Sequence, residues 1–321
     1  MKAARTAELS GPGGLVIDEV AAPVPGPDQI RVDVRATALN RADLLQTLGL
    51  YPAPPGVPAD IPGLEYAGVV ESVGANVTRF KRGDRVMGLV AGGAWAQQLV
   101  THEREALRIP DRLSFEQAAA IPEAFITAFD ALTLQGGLRA GHTVLIHAVG
   151  SGVGTAAVQW AKRVGAKTVG TARTASKLER AKALGLDVGL LVEGPALSFE
   201  QGLQVDLALE LVGGSYLPHT LAAMAPGGVV MLVGLSAGPT AQLPLRLILT
   251  NRLRIQGTTM RARPLEQKIA VAEAFAVSVL PFFADCTLVP VVGQTVAFEG
   301  LKAALEQLAA NQTFGKTVVT L

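Results

Sequence analysis

The sequence has very little cysteine, few aromatic residues and no excess charge of either sign. Its single cysteine, Cys286, excludes an internal disulfide and a zinc centre held by several cysteines, and it fits a reducing compartment. Aromatic residues make up 5% of the chain and the formal net charge is +1, which indicates neither a stacking platform nor a basic field for nucleic acid or a membrane surface. The longest apolar stretch, residues 269–283, contains Glu273 and Pro281 and is too short to span a bilayer. We therefore expect a soluble, cytoplasmic protein without nucleic-acid or membrane partners.

Apolar residues and glycine, by contrast, are abundant. The 321 residues are 49% hydrophobic and include 35 glycines, enough for two packed cores. In the first third, residues 29–36 alternate apolar and polar side chains, as in a half-buried strand, and residues 66–73 and 85–90 are further strand candidates. Residues 52–62 contain five prolines and predict an irregular loop. This part of the chain is typical of a compact, mostly β domain.

A regular alternation of strands and helices follows. The pattern predicts strands at 144–148, 167–171, 188–191, 205–210 and 229–233, with helices at 152–164 and 176–184 and near 216–223, and a last strand at 253–257. Such alternation favours an α/β fold with a doubly wound parallel sheet. The final residues, 290–321, read as strand, helix and strand that rejoin the first domain. We place the parallel-sheet domain at 119–262 and the β domain at 1–118, completed by 263–321.

A glycine-rich turn joins the strand at 144–148 to the helix at 152–164. Gly150 and Gly152 would let the backbone approach a phosphate, and a side chain at Gly154 would hold the helix away from the strand. This strand, turn and helix arrangement holds a dinucleotide pyrophosphate against a helix N-terminus. A plain structural turn is the alternative, and the continuing alternation favours the nucleotide site.

The end of the second strand of this domain bears on which dinucleotide is bound. An acid there would bind the ribose hydroxyls of NAD, whereas a cation would bind the 2′-phosphate of NADP. No acid is present at that point, and Arg173 and Lys177 supply cations, with Thr171 and Ser176 as hydroxyl donors. NADP is therefore favoured over NAD. Solvated surface cations are the alternative interpretation.

Several motifs together resemble a known family, the zinc-free medium-chain dehydrogenases/reductases, and within it the quinone oxidoreductases related to zeta-crystallin. The resemblance covers nearly the whole chain and rests on Asn40-Arg41-Ala42-Asp43, Gly49-Leu50-Tyr51-Pro52, Pro62-Gly63-Leu64-Glu65-Tyr66-Ala67-Gly68, residues 147–154 and Gly315-Lys316. Zinc-dependent relatives carry a ligand cysteine just before the position of Asp43 and a ligand histidine at the position of Leu64. Because neither ligand is present, the resemblance implies zinc-independent chemistry.

The resemblance implies a Rossmann domain, a GroES-like catalytic domain and an NADPH-dependent quinone oxidoreductase that transfers hydride from nicotinamide to a quinone. It places Tyr51, Asn40 and Asp43 in the catalytic cleft. There Tyr51 would donate to the developing oxyanion, Asn40 would donate to substrate or nicotinamide ribose, and Asp43 would be an orienting acceptor. A loop aromatic and a turn asparagine are the structural alternatives for Tyr51 and Asn40. With the turn and strand-end residues above, the expected cofactor contacts are Asn40, Thr127, Gly150, Ser151, Gly152, Val153, Gly154, Thr171, Arg173, Lys177, Leu211, Val212, Gly213, Gly234, Leu235 and Asn311.

Other functions remain open at this point. A zinc-free NADPH-dependent reductase of 2-alkenals or enoyl thioesters would use the same chemistry, and a non-catalytic NADPH-binding protein would need only the nucleotide site. Relatives form dimers or tetramers through the edge of the Rossmann sheet. We therefore expect a homodimer or homotetramer in which residues 253–257 pair with a second copy.

Overall fold

The computed structural model describes residues 1–192, 199 and 202–321. The chain divides into two compact units. Unit 1 comprises Met1–Ile126 and Met260–Leu321, and unit 2 comprises Thr127–Thr259. No helix within the described residues is long and apolar enough to cross a membrane.

The described secondary structure is mixed α/β. The strands are β1 (Lys2–Thr6), β2 (Leu15–Glu19), β3 (Gln29–Ala38), β4 (Glu65–Val73), β5 (Arg85–Leu89), β6 (Gln98–His102), β7 (Ala106–Arg108), β8 (Thr143–Ile146), β9 (Lys167–Ala172), β10 (Val188–Leu191), β11 (Val205–Glu210), β12 (Met224–Leu232), β13 (Arg254–Gly257), β14 (Val292–Ala297) and β15 (Lys316–Thr320). The α-helices are α1 (Arg41–Thr47), α2 (Phe115–Ala119), α3 (Thr127–Phe129), α4 (Gly152–Val164), α5 (Ala175–Lys182), α6 (Tyr216–Ala222), α7 (Leu245–Asn251), α8 (Leu265–Ser278), α9 (Pro281–Ala284) and α10 (Leu301–Ala309). Two π-helical segments, Pro122–Ile126 and Asp130–Gln135, flank α3.

Unit 2 is a Rossmann-type unit, as the sequence predicts. Its six described strands have the order β10-β9-β8-β11-β12-β13, and every neighbouring pair is parallel. The strands are short apolar runs because a parallel sheet is covered on both faces. The start of β12 differs from the predicted start at residue 229. The strand begins at Met224, and the turn at residues 226–228 is a bulge between its two paired segments.

Helix α4 shows how local sequence sets the geometry of the glycine-rich turn and the helix that follows it. Ser151 is its N-cap, and the Ser151 Oγ accepts a hydrogen bond from Gly154 N at 3.0 Å. Trp160 and Ala157 on its inner face are buried. The helix ends at Gly165, whose φ of +91° is a left-handed conformation that glycine adopts without strain.

Unit 1 is the mostly β unit. Its seven-stranded sheet has the order β14-β15-β3-β4-β5-β7, with β6 also paired to β3, and β1 and β2 form a separate hairpin. Ile30, Val32 and Val34 of β3 are buried, as the period-two pattern predicts. The C-terminal residues rejoin this unit because β15 pairs antiparallel with β3. No helix or strand occurs at residues 52–62, in agreement with the predicted loop.

The boundaries between the units differ from the predicted ones. They fall after Ile126 and before Met260, rather than after 118 and before 263. Residues 119–126 belong to unit 1 because Glu123 N donates to Glu65 Oε2 at 2.8 Å and the Phe125 ring packs edge-on against Phe283 at 4.8 Å. Arg261 belongs there as well, because its guanidinium donates to Ala91 O at 2.7 Å.

Candidate functional site

The carboxyl edge of the unit 2 sheet gathers most of the predicted cofactor residues. The chain runs from β8 outward to β9 and β10, and then crosses to β11 on the other side of β8. The strand order therefore reverses between β8 and β11, and a crevice at such a reversal is where open α/β sheets bind ligands. The segments that follow β8, β9, β11 and β12 all lie at this edge because the strands are parallel.

The turn after β8 fits a phosphate group. A Cβ at Gly154 would lie 2.3 Å from Ala148 O, so only glycine allows α4 to pack this close to the strand. The N–H of Gly154 is used by the Ser151 cap, whereas the N–H groups of Gly152 and Val153 lie in the first turn, where a helix offers no acceptor. These two amides and the positive end of α4, with no acidic residue in its first turn, match the requirements of an anion.

The turns after β11 and β12 contact each other, and a buried carboxylate holds the first of them. Glu210 Oε1 accepts from Val212 N and from Gly213 N, both at 2.9 Å. A Cβ at Gly234 would lie 2.4 Å from Leu211 O, so glycine permits the close approach of the two turns. Leu211, Val212, Gly213, Gly234 and Leu235 therefore form one continuous wall at the carboxyl edge.

Glu210 itself was not among the predicted site residues. It is the last residue of the apolar strand β11. An acid at the end of an apolar strand is the sequence feature that could have indicated its role. Its Oε2 accepts from Thr220 Oγ1 at 2.8 Å, so both carboxylate oxygens are used to fix backbone and side chains around the crevice.

Of the predicted phosphate-binding residues at the end of β9, two follow the strand and one, Thr171, is buried within it. Arg173 follows β9 directly and is exposed, and Lys177 lies in the first turns of α5. Thr171 differs from the expectation. Its side chain is buried, and its Oγ1 hydrogen-bonds His147 Nδ1 at 2.9 Å, so its hydroxyl is not presented to a ribose phosphate.

His147 is a core residue whose two ring nitrogens both have hydrogen-bond partners. Its Nε2 hydrogen-bonds Thr220 Oγ1 at 2.9 Å, its Nδ1 bonds Thr171, and the ring is fully buried. Burial lowers the pKa of His147 below its ordinary value, while the nearby Glu210 opposes that shift.

In unit 1, a buried ammonium group connects the polar residues of the predicted catalytic cleft. Lys316 Nζ donates to Leu39 O at 3.0 Å and to Asn40 Oδ1, and it pairs with Glu65 Oε1 at 2.6 Å. An ammonium has three N–H donors, so these contacts use all of them. Both Lys316 and Glu65 are buried, and neither was predicted as a site residue. Buried charges flanking apolar strands are the feature that could have identified them.

The side chain of Asn40 is hydrogen-bonded within this network, whereas we expected it to donate to substrate or nicotinamide ribose. Its Nδ2 donates to Glu65 Oε1 at 2.9 Å and to Ala38 O at 3.3 Å, and its Oδ1 accepts from Lys316. Both amide hydrogens therefore have acceptors inside unit 1, and the residue is buried. The expected donation from Asn40 to substrate or nicotinamide ribose would require it to leave these partners.

Asp43 is held by main-chain donors. Its Oδ2 accepts from Asn40 N at 2.8 Å and its Oδ1 accepts from Gly63 N at 3.1 Å. Burial raises the pKa of Asp43 to about 7, against the opposing effects of these hydrogen bonds and of Lys316. Asp43 therefore joins the start of α1 to the segment before β4.

Tyr51 lies beside a buried arginine. The guanidinium of Arg261 is 5.0 Å from the centre of the Tyr51 ring and donates to Tyr51 O at 2.8 Å. The same guanidinium donates to Ala91 O and to Gln46 Oε1, so its position is fixed from three sides. Among the described residues, the Tyr51 hydroxyl has no hydrogen-bond partner. Partial burial raises its pKa above the ordinary value.

Glu123 completes this group and was also absent from the predicted site. Its N–H donates to Glu65, but its carboxyl group accepts no hydrogen bond from the part of the chain that the structure describes. Burial, and next the charge of Glu65, raise the pKa of Glu123 to about 8. The carboxyl group also interacts electrostatically with Arg261 and Tyr51.

The two remaining predicted cofactor contacts lie in different units. Thr127 opens α3 in unit 2 and is buried. Asn311 follows α10 in unit 1, where its Oδ1 accepts from Arg41 Nη2 at 2.7 Å.

No group of three or more histidine, cysteine, aspartate or glutamate side chains within the described ranges is arranged to hold a metal ion. Just before Asp43 and at residue 64, where the zinc-dependent relatives carry a ligand cysteine and a ligand histidine, this chain has Asn40-Arg41-Ala42 and the apolar Leu64.

Comparison with known proteins finds a matching family for each of the two parts of the chain. Residues 26–111 match the family described as alcohol dehydrogenase GroES-like domain, and residues 152–276 match zinc-binding dehydrogenase. Quinone oxidoreductase of Pseudomonas aeruginosa is 32% identical over 323 residues, which cover 98% of this chain and 97% of that protein. Spectinabilin polyketide synthase system protein NorB of Streptomyces orinoci is 37% identical over 325 residues, which are 96% of this chain. The chain spans 6 to 14% of the length of the polyketide synthase proteins that it matches.

Solved structures share the whole fold. Escherichia coli quinone oxidoreductase complexed with NADPH superposes with a TM-score of 0.88 at 25% identity and full coverage of both chains. The expected combination of a GroES-like and a Rossmann unit is therefore confirmed. Because the chain matches a quinone oxidoreductase along nearly the full length of both proteins, it belongs to the zinc-free quinone oxidoreductase family of the medium-chain dehydrogenases/reductases.

Proposed function

We propose that this protein is an NADPH-dependent quinone oxidoreductase that works without zinc. The observation that carries the proposal is the unengaged hydroxyl of Tyr51, a donor held in place by Arg261. The neighbouring candidates Asn40 and Asp43 have their hydrogen-bonding groups occupied inside the protein. Tyr51 is therefore the predicted residue able to donate to an oxygen that becomes negative during reduction.

The cofactor is NADPH. The anion-accepting start of α4 and the exposed Arg173 after β9 fit the pyrophosphate and the 2′-phosphate, and the related structure from E. coli is a complex with NADPH. Gly150, Ser151, Gly152, Val153 and Gly154 would hold the pyrophosphate. When bound, the nicotinamide supplies the hydride, and the protein orients the acceptor and stabilises its charge.

Zinc independence is supported by the absence of the ligand cysteine and histidine of the zinc-dependent relatives and by a cation that already lies among the polar residues of the predicted cleft. Lys316 already places a positive charge against Asn40 and Glu65, and its three donors are satisfied there. A divalent cation would have to displace this ammonium group. We expect metal analysis to find no stoichiometric zinc in the active enzyme and a chelator to leave its turnover unchanged. Loss of activity on chelation, restored by zinc, would contradict this part of the proposal.

The assembly is a homodimer or homotetramer that pairs β13 with its counterpart in a second copy. β13 is the last strand of its sheet, and Leu245 and Leu249 of the adjacent α7 are 72% and 78% exposed. Light scattering at micromolar concentration tests this, and a monomer would count against it.

The compartment is the cytoplasm, supported by the single cysteine, which suits a reducing environment.

The primary test is steady-state oxidation of NADPH and NADH with 9,10-phenanthrenequinone, 1,4-benzoquinone and a 2-alkenal. Quinone turnover with preference for NADPH is expected. Turnover of the alkenal alone would assign the protein as a double-bond reductase, and NADPH binding without turnover of any acceptor would make it a non-catalytic binding protein.

The role of Tyr51 has a matched control in the same unit. Tyr51→Phe should lower kcat by about three- to tenfold, because quinone reduction is chemically easy and one donor contributes modestly. Tyr66→Phe removes a hydroxyl that is buried without a partner and should leave turnover unchanged. Equal effects of the two substitutions would refute the role of Tyr51.

A further inference from the structure

Glu210, the last residue of β11, links the two turns that form the wall at the carboxyl edge of the unit 2 sheet. Its main-chain O accepts from Val233 N at 2.9 Å and from Gly234 N at 3.1 Å, in the turn after β12. Its side-chain Oε1 accepts from Val212 N and Gly213 N, both at 2.9 Å, in the turn after β11. One residue therefore fixes the main chain of both turns, and its carboxylate fixes the first of them.

The second carboxylate oxygen of Glu210 ends a chain of hydrogen bonds that connects the ends of β9, β8 and β11. Thr220 Oγ1 of α6 donates to Glu210 Oε2 at 2.8 Å and lies 2.9 Å from His147 Nε2. His147 Nδ1 lies 2.9 Å from Thr171 Oγ1, near the end of β9. All four side chains are buried, and each of their polar atoms has a partner. The chain therefore lies entirely inside unit 2.

The chemistry of these groups gives the chain one arrangement of hydrogens. As a carboxylate, Glu210 only accepts hydrogen bonds, so Thr220 gives its hydrogen to Glu210 and can only accept from His147. His147 Nε2 must then carry a hydrogen. Burial lowers the pKa of His147, so the ring is neutral at about pH 7, and its Nδ1 accepts from Thr171. Every donor points toward Glu210, and bonds aligned in this way strengthen one another.

The position of the held turn relates it to one half of a bound dinucleotide. In the proposed complex, Arg173 after β9 and the start of α4 bind the 2′-phosphate and the pyrophosphate. β11 and β12 lie on the other side of β8 from β9, so their turns remain for the nicotinamide half. We propose that Glu210 is a positioning residue that holds residues 211–213 for the nicotinamide half of NADPH, with its carboxylate kept in place by the chain from Thr171. The inference rests on the NADPH site of the proposed function.

The binding test compares Glu210→Met, which removes both acceptor oxygens, with Glu210→Gln, which keeps one. In calorimetric titration, Glu210→Met should raise the Kd of NADPH at least about tenfold, because two main-chain N–H groups lose their acceptor. The Kd of adenosine 2′,5′-bisphosphate, which lacks the nicotinamide half, should change by less than about twofold. Glu210→Gln should recover most of the loss. Its amide oxygen can accept from both N–H groups, while Thr220 turns its hydrogen to Tyr216 O, 3.1 Å away.

Thr220→Val tests the chain at its middle and carries the test if Glu210→Met does not fold. It removes the donor to Glu210 Oε2 and the acceptor of His147 Nε2. The Kd of NADPH should rise about threefold, and that of the bisphosphate should stay within about 1.5-fold. Thr168→Val is the matched control. Thr168 is also fully buried, but its Oγ1 donates to Gly185 O at 3.0 Å at the amino end of β9, so this variant should lose stability and bind both ligands normally.

A spectroscopic readout tests the direction of the chain in the wild type. Nitrogen NMR of histidine-labelled protein reports which ring nitrogen carries a hydrogen, and His147 is identified by its contact with the Tyr216 ring, whose centre is 5.4 Å away. At about pH 7, His147 should carry its hydrogen on Nε2 and none on Nδ1. A hydrogen on Nδ1 would overturn the proposed chain.

The binding results separate this role from the proposed function. Wild-type affinity for NADPH in Glu210→Met and in Thr220→Val would overturn the proposal. So would equal losses of affinity for NADPH and for the bisphosphate, because a general structural role weakens both. These results leave the proposed function intact when the wild type reduces quinones with NADPH. A wild type that does not bind NADPH would refute the proposed function and, with it, this role.

Discussion

Removal of the buried ammonium of Lys316 is the perturbation with the most clearly defined consequence. Lys316→Met keeps most of the side-chain volume but removes the three contacts of Nζ with Leu39 O, Asn40 Oδ1 and Glu65 Oε1. Glu65 would keep its bonds from Asn40 Nδ2 at 2.9 Å and Glu123 N at 2.8 Å. Its carboxylate would nevertheless remain buried without a compensating cation.

The expected cost follows from this uncompensated charge. Breaking a buried ion pair by removing one partner costs about 3–5 kcal/mol, far more than loss of a surface pair. For a chain of 321 residues, that corresponds to a decrease in Tm of roughly 4–8 °C. If the charge is the cause, then adding Glu65→Gln to Lys316→Met should restore part of the loss, because the neutral amide has no charge to solvate.

Urea unfolding and calorimetry of Lys316→Met, Glu65→Gln and the double variant give the double-mutant cycle. Lys302→Met, which removes an exposed lysine from α10, should change stability by less than about 0.5 kcal/mol. A loss below about 1 kcal/mol for Lys316→Met, or a double variant as unstable as the sum of the single variants, would refute the assignment of a charge-compensating role.

Three further predictions concern the proposed nucleotide site and the partly buried Glu123. Gly154→Ala should weaken NADPH binding at least about tenfold and lower stability by about 1–3 kcal/mol, because its Cβ would lie 2.3 Å from Ala148 O. Gly257→Ala, whose Cβ would have its nearest neighbour at 4.0 Å, should bind normally in the same fluorescence titration. Arg173→Ala should raise the Kd of NADPH about tenfold in calorimetric titration and leave that of NADH within about twofold, and equal losses for both would contradict a phosphate contact. Glu123→Gln should stabilise the protein at alkaline pH. The folded state holds a proton on Glu123 up to about pH 8, against an ordinary pKa of 4.5, so wild-type stability falls as the pH rises between these values. The difference amounts to at most roughly 5 kcal/mol, and a gap in Tm between variant and wild type that is no larger at about pH 9 than at about pH 6 would contradict it.

Much of unit 2 could be predicted because its information is local. The helix at residues 152–164 was predicted with the bounds that the structure shows, since the Ser151 cap, the apolar face and the terminating Gly165 are all contained in one segment. The need for glycine at 154 also followed from the strand, turn and helix order. Bounds shifted where tertiary pairing decides, as at β12, where pairing with β11 extends the strand back to Met224.

The division between the units could not be predicted to the residue. The alanine-rich stretch near residue 120 has helical composition wherever it packs, and composition alone assigned it to the Rossmann domain. The contact of Phe125 with Phe283 and the bond from Glu123 to Glu65 join it to unit 1 instead. These contacts connect segments that are distant in sequence, so no local pattern reports them.

The sequence by itself determined the class of fold, the position of the glycine-rich turn between β8 and α4, and the absence of the cysteine and histidine that bind zinc in the zinc-dependent relatives. These are properties of residue type and short spacing. Only the tertiary structure decided which polar groups are available for chemistry. Asn40 is an obvious donor in the sequence, but its amide is bonded to Glu65 and to Lys316, which is 276 positions away. Arg261 attracts no notice in the sequence and lies beside Tyr51. A polar side chain forms hydrogen bonds with the partners that the fold brings near it. Those partners are known only from the packed structure, because they come from distant parts of the sequence.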